Sequence, residues 1–451
     1  MSSGEHQSRV LTEEAVDHAF ADLGTFDVVV LAVSGGPDST ALMHLVAEWK
    51  RRRGAHVPDI RVATVDHGLR AGSAEEAEVV ARAASALGFA HHVLRLTERP
   101  TGEFSQSWAR DRRYQALIDL AQSLGGRRIA IVTAHTRDDQ AETMLMRLGR
   151  GSGVEGLGAM RPVRRVGEGV WLVRPLLDVS KDALRAWLEG RAIGWIEDPS
   201  NAVGRFERVR LRARRAVRDE LGLGDDKLAL SAMRLRRANA ALDAALSRAI
   251  GEAGPALVLS PLGFADVDRD WLLQLDEELR IRLMIRLIAS TGGQVDPVPL
   301  GSLEARLDTF VGAGAGQGGF TLAGAQIDPR GARVLVCREP GDNRVPMPTM
   351  ALSGSGTVMW DNRFILTSVG FHNGGGAGLT VGPLLPVGLA ELETRGWQRP
   401  ARCPAQALWS QPALRALNVV RWAPTLDFGP AQGEPCPYRV AFDWSRLDGE
   451  R

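Results

Sequence analysis

The stretch at residues 26–45, FDVVVLAVSGGPDSTALMHL, decides how the chain is read. A short apolar run at 28–33 leads into Ser34-Gly35-Gly36-Pro37-Asp38-Ser39. Residues 40–49 then place Leu42, Leu45, Val46 and Trp49 at helical spacing. The order is strand, tight turn, helix. Small residues let the backbone turn sharply and aim its amides at an anion. Ser39 falls near the first turn of the helix, where the dipole favours bound phosphate. The turn is not a Walker A loop, which needs GxxxxGK[ST], because no Lys precedes residue 50. It is not GxGxxG either.

The pattern repeats outward. Residues 60–65 read as a second strand, 73–87 as a helix, 90–94 as a third strand, 104–124 as a long helix and 129–133 as a fourth strand. This rhythm is βαβ architecture with a parallel sheet, so the fold class is α/β. Polar groups just past strand ends lie where such sheets bind ligands. One such group is Val65-Asp66-His67-Gly68-Leu69-Arg70. Another is His135, Asp138, Asp139 and Glu142, spaced by three, one and three along one side of a helix start. Acids gathered there are costly unless they meet a cation. Arg110, Arg113 and Tyr114 share a helix face; ordinary surface solvation is the competing reading.

Further on, 149–160 reads as a Gly-rich mobile loop, 170–177 as a fifth strand and 181–188 as a helix. Seven Arg lie between 205 and 218, with Glu207 the one acid among them. A phosphate-backbone patch is favoured there over a solvated helix. Residues 220–310 read as mostly helical, with helices at 228–250 and 271–288. Short strands at 320–322 and 334–337 suit a small hairpin. Strands are expected at 358–367 and 379–387. Five of the eleven Trp lie beyond residue 350, among several Arg. Base stacking competes there with plain core filling.

Composition bounds the rest. At 451 residues the chain can hold two or three cored domains. Three widely spaced Cys, without His nearby, argue against a zinc site or a disulfide framework and for a reducing cytoplasm. A net charge of +1 excludes a generic polyanion binder. No apolar run approaches the roughly 20 residues of a membrane span, and the first twenty residues do not read as a signal peptide.

These motifs together resemble the tRNA(Ile)-lysidine synthases, within the N-type ATP pyrophosphatases. The resemblance rests on SGGPDS at 34–39, VDHGLR at 65–70, Arg110 with Arg113-Tyr114, and AHTRDDQAET at 134–143. Gly151-Ser152-Gly153, Gly156-Leu157, Arg174-Pro175-Leu176-Leu177 and Asp198-Pro199-Ser200-Asn201 complete it. It covers roughly residues 25–220, is looser to about 345 and is poor in the last hundred residues.

The resemblance implies a Rossmann-like PP-loop ATPase domain at 1–218. A helical middle domain with tRNA contacts at 219–345 and a small, mainly β domain at 346–451 would follow. It implies ATP-dependent joining of L-lysine to C2 of the first anticodon cytidine of a minor isoleucine tRNA, through an adenylated intermediate. ATP and Mg²⁺ would be the cofactors, with a homodimer left open. Ser34, Gly35, Gly36, Pro37, Asp38 and Ser39 would hold ATP, and Asp38 and Asp138 the metal. Asp138 and Asp139 are candidates for the ion or for the lysine ammonium, and His135 for a phosphate or a proton. Arg110 and Arg113 are candidates for the lysine carboxylate or the tRNA backbone, and Glu142 for the amine. Thiolation, amide formation by adenylation and non-enzymatic RNA binding are the alternatives. The first would need catalytic Cys or an iron–sulfur cluster, and no Cys precedes residue 337.

Overall fold

The computed structural model describes residues 11–54, 57–66, 73–96, 106–197, 207–312, 318–341, 346–352, 356–369, 378–400, 403–430 and 435–448, without the side chains of 106–107, 207–209 and 308–312. His67, Gly68, Leu69, Arg70, Asp198, Pro199, Ser200, Asn201 and Arg205 therefore lie outside the described residues, as does the Arg208 side chain. Two compact units emerge, Met1–Asn239 and Ala240–Glu450. Residues 219–239, expected in the middle region, cluster with the first unit. A further boundary near 345 remains our proposed subdivision of the second.

In the first unit the chain runs α1 (Glu13–Phe20), β1 (Val28–Ala32), α2 (Pro37–Arg53), β2 (Asp59–Asp66), α3 (Ser73–Ala86), β3 (Ala90–Arg95), α4 (Gln106–Leu124) and β4 (Ile129–Val132). Then come α5 (Arg137–Leu148), α6 (Val154–Leu157), β5 (Val163–Gly167), β6 (Val170–Val173), α7 (Lys181–Glu189), α8 (Glu207–Ala213), α9 (Arg215–Glu220) and α10 (Asp225–Glu252), the last running past Asn239. The sheet order is β3-β2-β1-β4-β6-β5. Every pairing is parallel except β5 with β6.

Strand alternation sorts β1 between two cores. Val29, Leu31 and Val33 pack with Leu42, Leu45 and Trp49 of α2 and Leu184 and Leu188 of α7. Val28 and Val30 pack with Leu117 and Ala121 of α4. Burial on both faces is why β1 reads as an unbroken apolar run. Each such side chain removed from water contributes about 1.5–3 kcal/mol. The strand order reverses between β1 and β4, and ligands of open α/β sheets bind in the crevice at such a reversal. The turn after β1 and the acidic segment after β4 therefore flank one crevice.

Local departures from expectation have local causes. Helix α2 begins at Pro37 rather than at residue 40, because proline suits the first helical position. The Gly-rich segment expected to be mobile contains α6, and polar side chains bind it. Arg147 donates to the carbonyls of Gly156 and Ala159, and Gln140 exchanges two hydrogen bonds with the Met160 backbone. Strand β5, VRRVG, gave no apolar signal because it is a charged edge strand.

The second unit is mixed. Leu257–Leu259, Ala265–Asp268, Phe320–Leu322, Ala325–Arg330 and Arg333–Arg338 form an antiparallel sheet with helices Arg269–Gln274, Glu277–Thr291 and Leu300–Gly312. The single helix expected at 271–288 is broken at Leu275, which is extended, and Asp276, which is not helical. Beyond it lie a four-stranded and a three-stranded sheet. The strand expected at 358–367 is a hairpin, turned by Asp361 and Asn362 at φ 51° and 52°. Trp360 and Trp422 are buried, and Trp397, Trp409 and Trp444 pack against cores, so core filling accounts for these five. Among the described residues no helix is long and apolar enough to cross a membrane.

Candidate active site

The turn after β1 is knitted by its own short side chains. Ser39 Oγ accepts the Ser34 N–H at 3.2 Å, donates to the Gly36 carbonyl at 3.1 Å and lies 3.3 Å from Ser34 Oγ. The Gly35 carbonyl accepts from Thr40 Oγ1 at 3.0 Å and from the Ile196 N–H at 2.9 Å. Gly35 itself has φ +87°, and a Cβ there would stand 2.5 Å from Ile196 Cδ1. Only glycine fits both constraints. Gly36 caps α2 in extended conformation with no side chain to occupy the helix's free amides. The N-terminus thus keeps donors and the positive dipole end for an anion.

Across the crevice, Thr136 and Asp139 form a capping box at the start of α5. Asp139 Oδ2 accepts from the Thr136 N–H at 2.9 Å and from its hydroxyl at 2.8 Å. The other oxygen, Oδ1, lies 3.1 Å from Lys181 Nζ and 3.6 Å from Arg212 Nη2. Lys181 Nζ also lies 2.9 Å from Asp38 Oδ2, and the Lys181 N–H donates to Asp138 Oδ2 at 2.9 Å. Glu142, one turn into α5, takes Arg212 through both oxygens. Asp38, Asp138, Asp139 and Glu142 are therefore brought together, and lysine and arginine supply the cations that the acids require.

That arrangement revises the Arg cluster. Arg212 pairs with Glu142. Arg215 lies 3.3 Å from Asp225 and 3.9 Å from Asp138, and Arg218 pairs with Asp225 at 2.7 Å. Three of the five described guanidiniums thus hold acids, so the run is not a uniform phosphate-binding patch. Arg210 and Arg214 are exposed.

Charge states follow. Burial alone would raise the Asp139 carboxyl; Lys181, the Thr136 N–H and His135 reverse this and bring it down to about 2. Burial keeps Asp138 above the ordinary carboxylate range despite the Lys181 N–H, and Glu142 likewise despite Arg212. Burial lowers Lys181, but Asp139 and Asp38 outweigh it and the ammonium ends above its usual value.

A second group gathers around His135. Its Nδ1 lies 2.8 Å from Thr133 Oγ1. Burial, with Arg174, Arg113 and Arg110, pushes the imidazole down to about 3 against the pull of Asp139. His135 is therefore neutral at pH 7, and the reference value near 6.5 does not describe it. Arg110 and Arg113 both sit over the Tyr114 ring, 5.6 and 5.5 Å from its centroid. Both guanidiniums thus engage an aromatic face rather than being simply solvated. Buried Arg113 Nε and Arg174 Nε lack hydrogen-bond partners among the described residues. A buried cationic group with open donors suits an anion.

Among the described residues no three His, Cys, Asp or Glu gather as a metal site. Asp38 Oδ1 is buried without a hydrogen-bond partner among the described residues, which fits a carboxylate that shares a Mg²⁺ with nucleotide phosphates and water. Asp138 fits less well, since one oxygen accepts the Lys181 N–H and the other faces Arg215. The reading of the sequence missed Lys181 as a site residue. A signal was present: only three of the 55 basic residues are lysines.

Residues 9–219 match a family profile described as a PP-loop domain. The chain is 40% identical over 355 residues to the tRNA(Ile)-lysidine synthase of Rhodopseudomonas palustris, covering 75% of this chain and 98% of that one. It is 40% identical over 367 residues to that of Bradyrhizobium diazoefficiens, with 76% and 98% covered. It is 44% identical over 318 residues to that of Methylobacterium nodulans, with 69% and 90% covered. With the glycine turn and the acidic helix start facing one crevice, and relatives matched along almost their whole length, the chain belongs to the tRNA(Ile)-lysidine synthase family of PP-loop ATPases.

Proposed function

We propose that the chain joins L-lysine to C2 of the first anticodon cytidine of a minor isoleucine tRNA, using ATP and releasing AMP and pyrophosphate. The observation that carries this reading is the juxtaposition of the phosphate turn with the buried acids of α5 at the strand-order reversal. The relatives' name, tRNA(Ile)-lysidine synthase, supplies the RNA and the product.

Cytidine O2 is a poor leaving group, so it is first adenylated. O2 attacks the α phosphorus of ATP, the bond to the β-phosphate bridging oxygen breaks and pyrophosphate leaves. The free amides at the start of α2, with Ser34 and Ser39, bind the phosphate oxygens as charge grows on them. Asp38, through its open Oδ1, would hold Mg²⁺, which when bound neutralises phosphate charge. Arg110, Arg113 and Arg174 offer donors to a second anion, either a phosphate or the lysine carboxylate. His135, neutral, orients by hydrogen bonding.

In the second step the lysine ε-amine, having lost a proton, attacks C2. The C2–O2 bond breaks and AMP carries O2 away. Asp139 and Glu142 supply carboxylates to the incoming ammonium. Glu142, raised by burial, is the better proton acceptor of the two.

The test is an omission assay for pyrophosphate with ATP, lysine and bulk tRNA. Release that needs tRNA, and labelled lysine in the RNA, is expected. Asp38→Asn should abolish release while tRNA affinity stays. RNA binding with no ATP-dependent product would overturn the reading.

A further inference from the structure

Lys181 stands in a position that its charge alone does not favour. It is the first residue of α7, following the Ser180 cap, and a cation at a helix N-terminus opposes the dipole. The chain writes nearly every basic position as arginine, yet here it has a lysine. The ammonium bridges Asp38, on the phosphate turn, and Asp139, on α5, at 2.9 and 3.1 Å. It is a compact charge on a flexible stem, unlike the flat fork of arginine. Arg212, by contrast, grips Glu142 with two nitrogens.

We infer that Lys181 is a positioning residue that fills the cation position between Asp38 and Asp139 and keeps free divalent metal out of the site until nucleotide brings it in. This inference rests on the proposed ATP chemistry, which needs Asp38 available to a metal–nucleotide pair. Two carboxylates left facing each other without the ammonium would repel, and a divalent ion would be the natural replacement. With the ammonium in place, Asp38 Oδ1 is the one oxygen of the Asp38–Asp139 pair left without a partner among the described residues, and a single oxygen is a weak site for a bare ion. Nucleotide phosphates add the missing ligands, so metal and ATP enter together.

The experiment measures Mn²⁺ binding to the full chain without nucleotide, by calorimetry and by the decrease in free-ion paramagnetic signal. Wild type and Lys181→Arg should bind weakly. Lys181→Met should bind about tenfold more tightly or better, and Asp38→Asn with Lys181→Met should return to the wild-type value. Circular dichroism confirms that each variant is folded, and Lys181→Gln, which removes the charge but keeps both carboxylates, supplies a second readout should Lys181→Met fail to fold. Folded Lys181→Met, or Lys181→Gln in its place, binding Mn²⁺ no more tightly than wild type would overturn the inference. tRNA-dependent pyrophosphate release by wild type is read alongside. If release is present without tighter metal binding in the variants, the counter-ion role falls and the function stands. If release is absent, the function falls, and tighter metal binding in the variants still supports the counter-ion role.

Discussion

Arg212 and Glu142, seventy residues apart, form a two-nitrogen, two-oxygen pair in which Arg212 Nη2 lies 3.1 Å from Glu142 Oε2. Glu142 is buried while Arg212 is partly exposed. The pair fastens α8 to α5, and removing the arginine strands a carboxylate away from water. Arg212→Ala should lower stability by about 1–3 kcal/mol. Arg212→Ala combined with Glu142→Ala should cost less than the two single changes summed. Urea unfolding of the four proteins checks this, and strict additivity would mean that the pairing contributes nothing.

Gly35 combines a positive φ with a neighbour at 2.5 Å from any added Cβ. Gly35→Ala should destabilise the protein by roughly 1–3 kcal/mol and remove ATP-dependent pyrophosphate release. Adding Ile196→Ala should recover part of the stability by freeing space, since the backbone strain remains. Undiminished nucleotide binding by Gly35→Ala would refute the geometric account.

His135 gives the pH dependence. Its folded value, about 3, lies below the unfolded value near 6.5, so the unfolded chain binds more protons between them. The stability this contributes is present above pH 6.5 and is lost as pH falls through that window. The slope is about 1.4 kcal/mol per pH unit for one proton. Thermal unfolding of His135→Asn should fall less steeply than wild type between pH 6.5 and 5. Parallel curves would place the imidazole in water.

RNA affinity should separate the arginines by their partners. Arg210→Ala with Arg214→Ala, both exposed, should weaken tRNA binding. The logarithmic salt slope should become shallower by about 0.7–0.9 for each phosphate no longer neutralised. Arg218→Ala should instead lower stability, because Arg218 holds buried Asp225 at 2.7 Å, and should leave the salt slope alone. The opposite pattern in filter-binding titrations would reassign both groups.

Much of the first unit was legible because its signals are local. Val28–Ala32 shows in its apolar run, Gly35 and Gly36 in the turn they make, and Asp138 and Asp139 in their place after a strand. What escaped depends on partners distant in sequence. Nothing near Arg212 announces Glu142, and nothing near Lys181 announces Asp38, 143 residues away. Edge strand β5 and the Asp361–Asn362 turn were missed for a related reason. Charge on an exposed edge hides a strand, and a left-handed pair inside an apolar run hides a hairpin.

The two oxygens of Asp139 divide their labour, one closing the first turn of α5 and the other facing Lys181 and Arg212. No neutral isostere can do both. An asparagine that kept its oxygen on Thr136 would turn an amide donor toward two cations. Damage at this position would then reach the cell twice, as a slower enzyme and as a scarcer one, and a genetic screen for lost activity could not tell the two apart without also weighing the protein.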